Sequence, residues 1–404
     1  MRILRVISTL DPRGGGPVEG LTRSAAVIDT FGHQTEVACT DPPDAPWLKD
    51  LPFQAHALGP GTRPFSFSRR LVPFIRARRS DYDVAVVHGL WNYGSIGAWL
   101  GLRGGPTPYV VFTHGMMDPW FKREYPLKHA AKQAYWLVAQ GRVLTDAHAV
   151  LFTTEEERRL ARESFFGFGK YREEVVAYGA AAPPEDAESQ VASFRATVPE
   201  VQGRRFLLYL SRIHPKKGCD LLVSAFADIA AEHPDLHLVM AGPDETGWRP
   251  ELETRTAQAG IAGRIHWPGM LRGDAKWGAM RAAEAFILPS HQENFGIAVA
   301  EAMACGRPVL ITDKVNIWRE VEACGAGLVA PDDLAGTVSL LRRFLSLDAA
   351  QKAVMGEAAR RGFEQSFDVR SAATSLLDVL ARAVAAKAGS PRLQPEDAMS
   401  RRSR

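Results

Sequence analysis

The segment Ser290-His291-Gln292-Glu293-Asn294-Phe295-Gly296 holds the residues best suited to chemistry. A carboxylate stands at the end of a loop, just before a glycine and an Ala-rich stretch. A second carboxylate, Glu301, follows eight residues later inside that otherwise apolar stretch. A charged group among alanines must face a polar partner or a ligand, because burying it alone is costly. Neighbouring hydroxyls of a sugar or a ribose suit such an acceptor. Upstream, Ser211-Arg212-Ile213-His214-Pro215-Lys216-Lys217-Gly218 places three fixed cations between an apolar run and a helical pattern. Cations closed off by a glycine and a helix N-terminus fit a diphosphate. Asp11-Pro12-Arg13-Gly14-Gly15-Gly16-Pro17 follows the first apolar run, and its glycines would let backbone N–H groups approach an anion. Thr113-His114-Gly115 ends another buried run, which points His114 toward a ligand.

Other chemistries lack their residues. The glycine loop is not G-x-G-x-x-G, and no G-x-x-x-x-G-K-[ST] occurs, so neither a dinucleotide fingerprint nor a P-loop is present. Asp81-Tyr82-Asp83 has a metal-binding D-x-D form but precedes its strand, at the wrong end of a sheet, and reads as a polar turn. His291-x-Glu293 lacks the P-C-x-x-C partner of a zinc deaminase. Cysteines 39, 219, 305 and 324 show neither metal spacing nor disulfide density and read as thiols of a reducing compartment. No metal site is expected.

The elements that must position these loops alternate along the chain. Strand patterns run over 2–8, 35–39, 83–88, 108–113, 149–153 and 174–177, then over 206–210, 236–241, 264–267, 285–288, 308–311 and 326–329. Helical spacing fills the gaps, as with Leu221, Leu222, Ala225, Phe226 and Ile229. This order predicts an α/β protein with parallel sheets covered on both faces, whose ligands bind outside the carboxyl ends of the strands. The lapse around 180–203 predicts a linker between two doubly wound halves. The chain of 404 residues is long enough for them, its 46% apolar and 24% charged residues are those of a globular protein, and a net charge of +3 excludes a global polyanion binder. The N-terminal apolar run is too short for a signal peptide. Residues 84–102 lack Asp, Glu, Lys and Arg but divide into strand, glycine loop and helix rather than a membrane span.

Glu293 and Glu301 with seven residues between them, the following EAMACGRPV, and SRIHPKKG with Arg212 and Lys217 five apart resemble the retaining glycosyltransferases of family 4. The resemblance implies the GT-B fold: two Rossmann-like domains facing an interdomain cleft, an acceptor domain at 1–183 and a nucleotide-sugar domain at 184–370. A helix at 371–388 would return to the first domain, and 389–404 would be a disordered tail. By the same resemblance His114, Arg212, Lys217 and Glu293 are the catalytic group. Arg212 and Lys217 would hold the diphosphate, Glu293 and the backbone of Asn294, Phe295 and Gly296 the sugar, and Glu301 the ribose. Met270 and Leu271 would lie beside the base, and Gly15 and Gly16 would face phosphate. HGLWNYGS and THGMMDPW resemble the branch at work in bacterial exopolysaccharide and lipopolysaccharide assembly. Two departures are Asp313–Trp318, which lacks a Gly-Gly, and Tyr178-Gly179 in place of Asn-Gly.

The expected reaction moves a sugar from a nucleotide diphosphate sugar to an acceptor hydroxyl, with retention and without metal or cofactor beyond the co-substrate. The expected partners are the donor, a glycan or lipid-linked glycan acceptor and an anionic membrane surface, with no nucleic acid. The expected place is the cytoplasm, either free or peripheral on the inner face of the cytoplasmic membrane. Residues 51–80 contain no acid, and Arg63, Arg69, Arg70, Arg76, Arg78 and Arg79 alternate there with Phe65, Phe67, Leu71, Phe74 and Ile75. Competing readings are a catalytically silent nucleotide-sugar-binding subunit and a glycan phosphorylase; four intact polar residues weigh against the first, and the want of a lysine-centred cofactor motif against the second.

Overall fold

The structure, a computed structural model, describes residues 1–389. Apart from Gly389, the expected tail lies outside the described residues. The chain forms two compact units. The first comprises Met1–Phe152, Leu160–Val176 and the chain from Ala373; the second comprises Thr153–Arg159 and Ala177–Ala372.

The first unit holds a parallel sheet of β1 (Arg2–Val6), β2 (Gln34–Cys39), β3 (Gln54–Ala57), β4 (Val84–His88), β5 (Tyr109–Phe112), β6 (Ala149–Phe152) and β7 (Glu173–Val175), in the order β3-β2-β1-β4-β5-β6-β7. The second holds β8 (Arg205–Leu210), β9 (Leu236–Ala241), β10 (Ile265–Gly269), β11 (Ala285–Leu288), β12 (Val309–Thr312) and β13 (Gly327–Ala330), in the parallel order β10-β9-β8-β11-β12-β13. Every residue of β4, β9 and β11 is buried, as β-branched and aliphatic runs covered on both faces should be. β3 is the strand not foreseen. Its Gln-Ala-His-Ala carries no β-branched residue and stands half-buried at the sheet edge.

Residues 84–102 divide into β4 and a helix at Tyr93–Leu102, whose Asn92 cap accepts a 3.3 Å hydrogen bond from the Ser95 N–H. Among the described residues no helix is long and apolar enough to cross a membrane. The stretch expected to be a linker forms a helix at Ala187–Thr197 that is part of the second unit. Phe194 is fully buried there, and Gln190 Oε1 accepts a 2.7 Å hydrogen bond from Arg281.

Both sheets reverse their strand order, between β1 and β4 and between β8 and β11. Loops leaving adjacent strands at such a point diverge and open a crevice for ligand. The loops after β1, β8 and β11 carry Gly15, Arg212, Lys217 and Glu293, whereas His114 follows β5 and Met270 and Leu271 follow β10. The last helix, Val369–Ala388, starts in the second unit and belongs to the first from Ala373 onward. There Ala373, Leu376, Leu380 and Ala383 pack with Ile3, Val84, Val86, Val110 and Phe112.

Candidate active site

In the first unit the loop after β1 is shaped by Asp11, whose carboxylate accepts from the Arg13 N–H at 2.9 Å and pairs with its guanidinium at 2.6 Å. Gly15 stands immediately before helix Gly16–Thr30 and Gly16 is its first residue, so the glycine loop delivers the chain to a helix N-terminus. His114 follows β5 with a φ of 52°, a left-handed backbone that costs a residue with a Cβ and marks functional loops. Its Nε2 lies 3.1 Å from His88 Nδ1 at the end of β4, and the two rings stack with centroids 5.3 Å apart. Phe112 stacks on both. Burial in this apolar stack lowers the His114 pKa to about 3 and that of His88 well below its usual value. The pair is therefore neutral near pH 7, and His88 Nε2 has no hydrogen-bond partner among the described residues.

In the second unit the loops after β8 and β11 meet at Gly218. Its φ is 65°, and a Cβ there would come 1.9 Å from the Pro289 carbonyl oxygen, so only glycine permits the approach. The approach brings buried Lys217 to Glu293: the ammonium lies 2.5 Å from Oε2, while Glu293 Oε1 accepts from the Asn294 N–H at 3.0 Å. Burial pushes the Glu293 pKa up, but Lys217, then Lys216 and the Asn294 N–H, outweigh it and hold the carboxyl below its usual range. Gly296, with a φ of 77°, turns the chain into helix Ile297–Ala304, whose N-terminus thus opens beside the pair. The loop after β12, at 313–318, straps this turn. The Glu293 N–H donates to the Lys314 carbonyl at 2.9 Å, and the Asn316 N–H donates to the Glu293 carbonyl at 3.0 Å.

The remaining predicted residues are distributed around this centre. Glu301 is buried in the helix and pairs with Lys276 at 2.8 Å. Arg212 is exposed and pairs with Glu245 at 3.1 Å, not with Glu293. His214 Nδ1 accepts from the Lys216 N–H at 3.1 Å; burial, then Arg212 and the lysines, lower its pKa. Met270 is exposed and takes the Arg272 guanidinium at its sulfur, whereas Leu271 is buried. The Phe295 side chain packs edge-on against Tyr178 and Phe367 in the core. The Asp81-Tyr82-Asp83 turn is structural: Asp83 accepts from the Arg2 N–H at 2.7 Å and the Tyr82 hydroxyl donates to Glu36 at 2.8 Å.

Two residues of the second unit had no motif to announce them. Glu157 is buried, and its Oε2 accepts from the Thr153 N–H and hydroxyl, both at 2.7 Å, and from Asn294 Nδ2 at 3.3 Å. Lys276, the partner of Glu301, is the other. In the first unit His88, the first residue of HGLWNYGS, is the partner of His114.

Residues 191–362 match the family of Glycosyl transferases group 1, and residues 15–179 match the Glycosyl transferase 4-like domain. A D-inositol 3-phosphate glycosyltransferase of Streptomyces avermitilis is 30% identical over 325 residues, covering 76% of this chain and 67% of its own. The chain belongs to the family 4 glycosyltransferases. Another member, the lipopolysaccharide core biosynthesis mannosyltransferase LpsB of Rhizobium meliloti, is 32% identical over 149 residues, 35% of this chain and 42% of its own. The fold of this glycosyltransferase is GT-B: Anabaena HepE, solved in complex with UDP and glucose, superposes with a TM-score of 0.73 at 18% identity over 95% of this chain and all of its own. The group 1 stretch of the glycosyltransferase contains Arg212, Lys217, Glu293 and Glu301; the 4-like stretch contains His114.

Proposed function

We propose that this glycosyltransferase takes its sugar from a nucleotide diphosphate sugar, transfers it with retained anomeric configuration and no metal ion, and serves the assembly of a bacterial surface polysaccharide. The observation that carries the reading is the Lys217–Glu293 pair at the β8/β11 reversal, beside the N-terminus of helix Ile297–Ala304. It unites a cation, a carboxylate and a helix N-terminus, the three features that a sugar diphosphate needs. The UDP and glucose in the Anabaena structure and the lipopolysaccharide and inositol phosphate names of the relatives agree with it.

The barrier is departure of the diphosphate with its growing charge. Lys217 and Arg212 would stabilise that charge by standing in place before it develops. The bond from the anomeric carbon to the phosphate oxygen breaks, the acceptor hydroxyl forms the new bond on the same face, and its proton passes to the departing phosphate. Glu293 orients the donor hydroxyls, Glu301 accepts from the ribose diol, and neutral His114 faces the sugar as a hydrogen-bond partner. The acceptor is a hydroxyl of a glycan or lipid-linked glycan.

A panel of UDP-, GDP- and ADP-sugars with inositol phosphate and lipid-linked glycan acceptors, followed by NMR, tests the proposal. The expected product keeps the donor's anomeric configuration. Tight nucleotide binding without turnover on any acceptor would identify a binding subunit, and phosphate-dependent release of sugar phosphate would identify a phosphorylase.

A further inference from the structure

One helix of the first unit is built with its apolar face outward. Pro126–Tyr135 continues through a π turn at Trp136–Gln140 into Gly141–Thr145. Leu127, Ala130, Ala131, Ala134 and Val138 recur at spacings of three and four and are all exposed, Leu127 at 88% and Val138 at 68%. The polar residues turn inward instead. The Lys132 ammonium lies 5.0 Å from the Trp91 ring centroid and 5.4 Å from that of Phe121, and His129 stacks on Phe165 at 4.8 Å. Gln133 hydrogen-bonds the backbone of Phe166 through both ends of its amide, at 3.1 and 3.2 Å, and that loop leaves Phe166 69% exposed beside the helix. A helix covering a sheet ordinarily buries its apolar stripe and exposes its charges. Here the stripe is left for another phase.

The charge around it identifies that phase. Lys128 and Arg142 are exposed along the same helical stretch, Lys122 and Arg123 are exposed on the short helix Trp120–Glu124 just before it, and Glu124 is the single acid between residues 120 and 142. We propose that this face docks on an anionic lipid leaflet, with the helix in the plane of the interface. The stripe from Leu127 to Val138 runs for about 16 Å at 1.5 Å per residue. Its apolar side chains and Phe166 enter the boundary between headgroups and acyl chains while the flanking cations meet lipid phosphates. A second copy of the chain fits less well, since pairing this face with itself would oppose like charges. The basic stretch at 63–79 fits less well too: Leu71 and Ile75 are in the core, Arg78 pairs with Asp81 at 3.2 Å, and Arg79 donates to the carbonyls of Gly101 and Arg103. That the leaflet also presents the acceptor rests on the proposed reaction; docking itself does not, so its test omits donor and acceptor.

The full chain is co-sedimented with vesicles of phosphatidylcholine alone or mixed with phosphatidylglycerol. Binding to the mixed vesicles is expected, with affinity falling about fivefold for each of Lys122→Gln, Arg123→Gln and Lys128→Gln. Leu127→Ser with Val138→Ser should cost at least about tenfold. Both side chains are exposed, so the fold survives, and circular dichroism confirms it. Arg69→Gln with Arg70→Gln should retain most binding. Equal recovery with and without vesicles overturns the proposal, as does full binding by the Leu127 and Val138 variant. So does a dimer in light scattering that this variant converts to monomer without any lipid binding.

Discussion

The Lys217 ammonium lies 2.5 Å from Glu293 Oε2, so the cation best placed for a phosphate and the carboxylate best placed for a sugar neutralise each other across two loops. Neither is expendable on its own. Lys217→Ala leaves a mostly buried carboxylate uncompensated and should destabilise the protein by about 3 kcal/mol at pH 7. Adding Glu293→Gln should recover part of that loss, with a coupling of about 1–3 kcal/mol in a double-mutant cycle read by urea unfolding. The pH dependence has a definite sign. The folded pKa of Glu293 lies below its ordinary value, so it adds stability at neutral pH that is lost as pH falls through the folded pKa. In Lys217→Ala burial dominates and the pKa rises, so moving from pH 7 to 5 should narrow the gap to wild type. Additive single mutants and a constant gap would contradict the pairing.

Glu301 and Arg212 should separate binding from turnover. Glu301 can accept from a diol in ground and transition states alike, so Glu301→Gln should raise the donor KM with kcat largely kept. Arg212 acts most on developing charge, and Arg212→Ala should lower kcat, by up to about 3 kcal/mol or roughly a hundredfold. Lys276→Met removes the partner of Glu301 and should weaken the donor less than additively with Glu301→Gln. Steady-state kinetics decide it; wild-type kcat in both Arg212→Ala and Lys217→Ala would remove the diphosphate role.

Half-buried His114, with a pKa of about 3, is neutral when folded and takes up a proton near its ordinary value of about 6.5 when unfolded. Its depressed pKa contributes stability above the unfolded value that is lost as pH falls toward the folded one, at up to about 1.4 kcal/mol per pH unit. His114→Asn should therefore flatten the acid limb of a plot of stability against pH from 6.5 downward. Wild-type kcat should show no limb from this residue between pH 6 and 8, and an NMR titration placing its pKa near 6.5 would refute the neutral pair.

Turnover should persist in excess EDTA. In the proposed reaction Arg212, Lys217 and the helix N-terminus would supply the positive charge that a metal would otherwise bring to the leaving group. Loss of activity in EDTA, restored by magnesium or manganese, would contradict that.

The legibility of this chain follows from how far apart cooperating residues lie. β9 and β11 announce themselves because continuous aliphatic runs need cover on both faces, and the loops after β8 and β11 were readable as strand ends. β3 was not, since Gln-Ala-His-Ala has strand geometry only because β2 pairs with it. Glu157 reads as an ordinary acid in a first helical turn; its role depends on Asn294, 137 residues on. Lys276 and Glu301 sit 25 residues apart on separate helices, and no local pattern joins them. The period of Leu127, Ala131, Ala134 and Val138 marks an amphipathic helix but is silent about which side meets the core.

The last helix has a consequence for how such a protein can be recombined. Val369–Ala372 ends the second unit, while Ala373, Leu376, Leu380 and Ala383 complete the packing over β1, β4 and β5 of the first. A gene fragment ending near codon 176 would encode the first sheet without this cover, leaving Val84, Val86 and Phe112 exposed on one side. A chimera made with a single crossover near Val176 would mate the first sheet to a foreign terminal helix. Exchange of specificity between relatives therefore requires two junctions, one near Val176 and one near Ala372, so that the first sheet keeps its own closing helix.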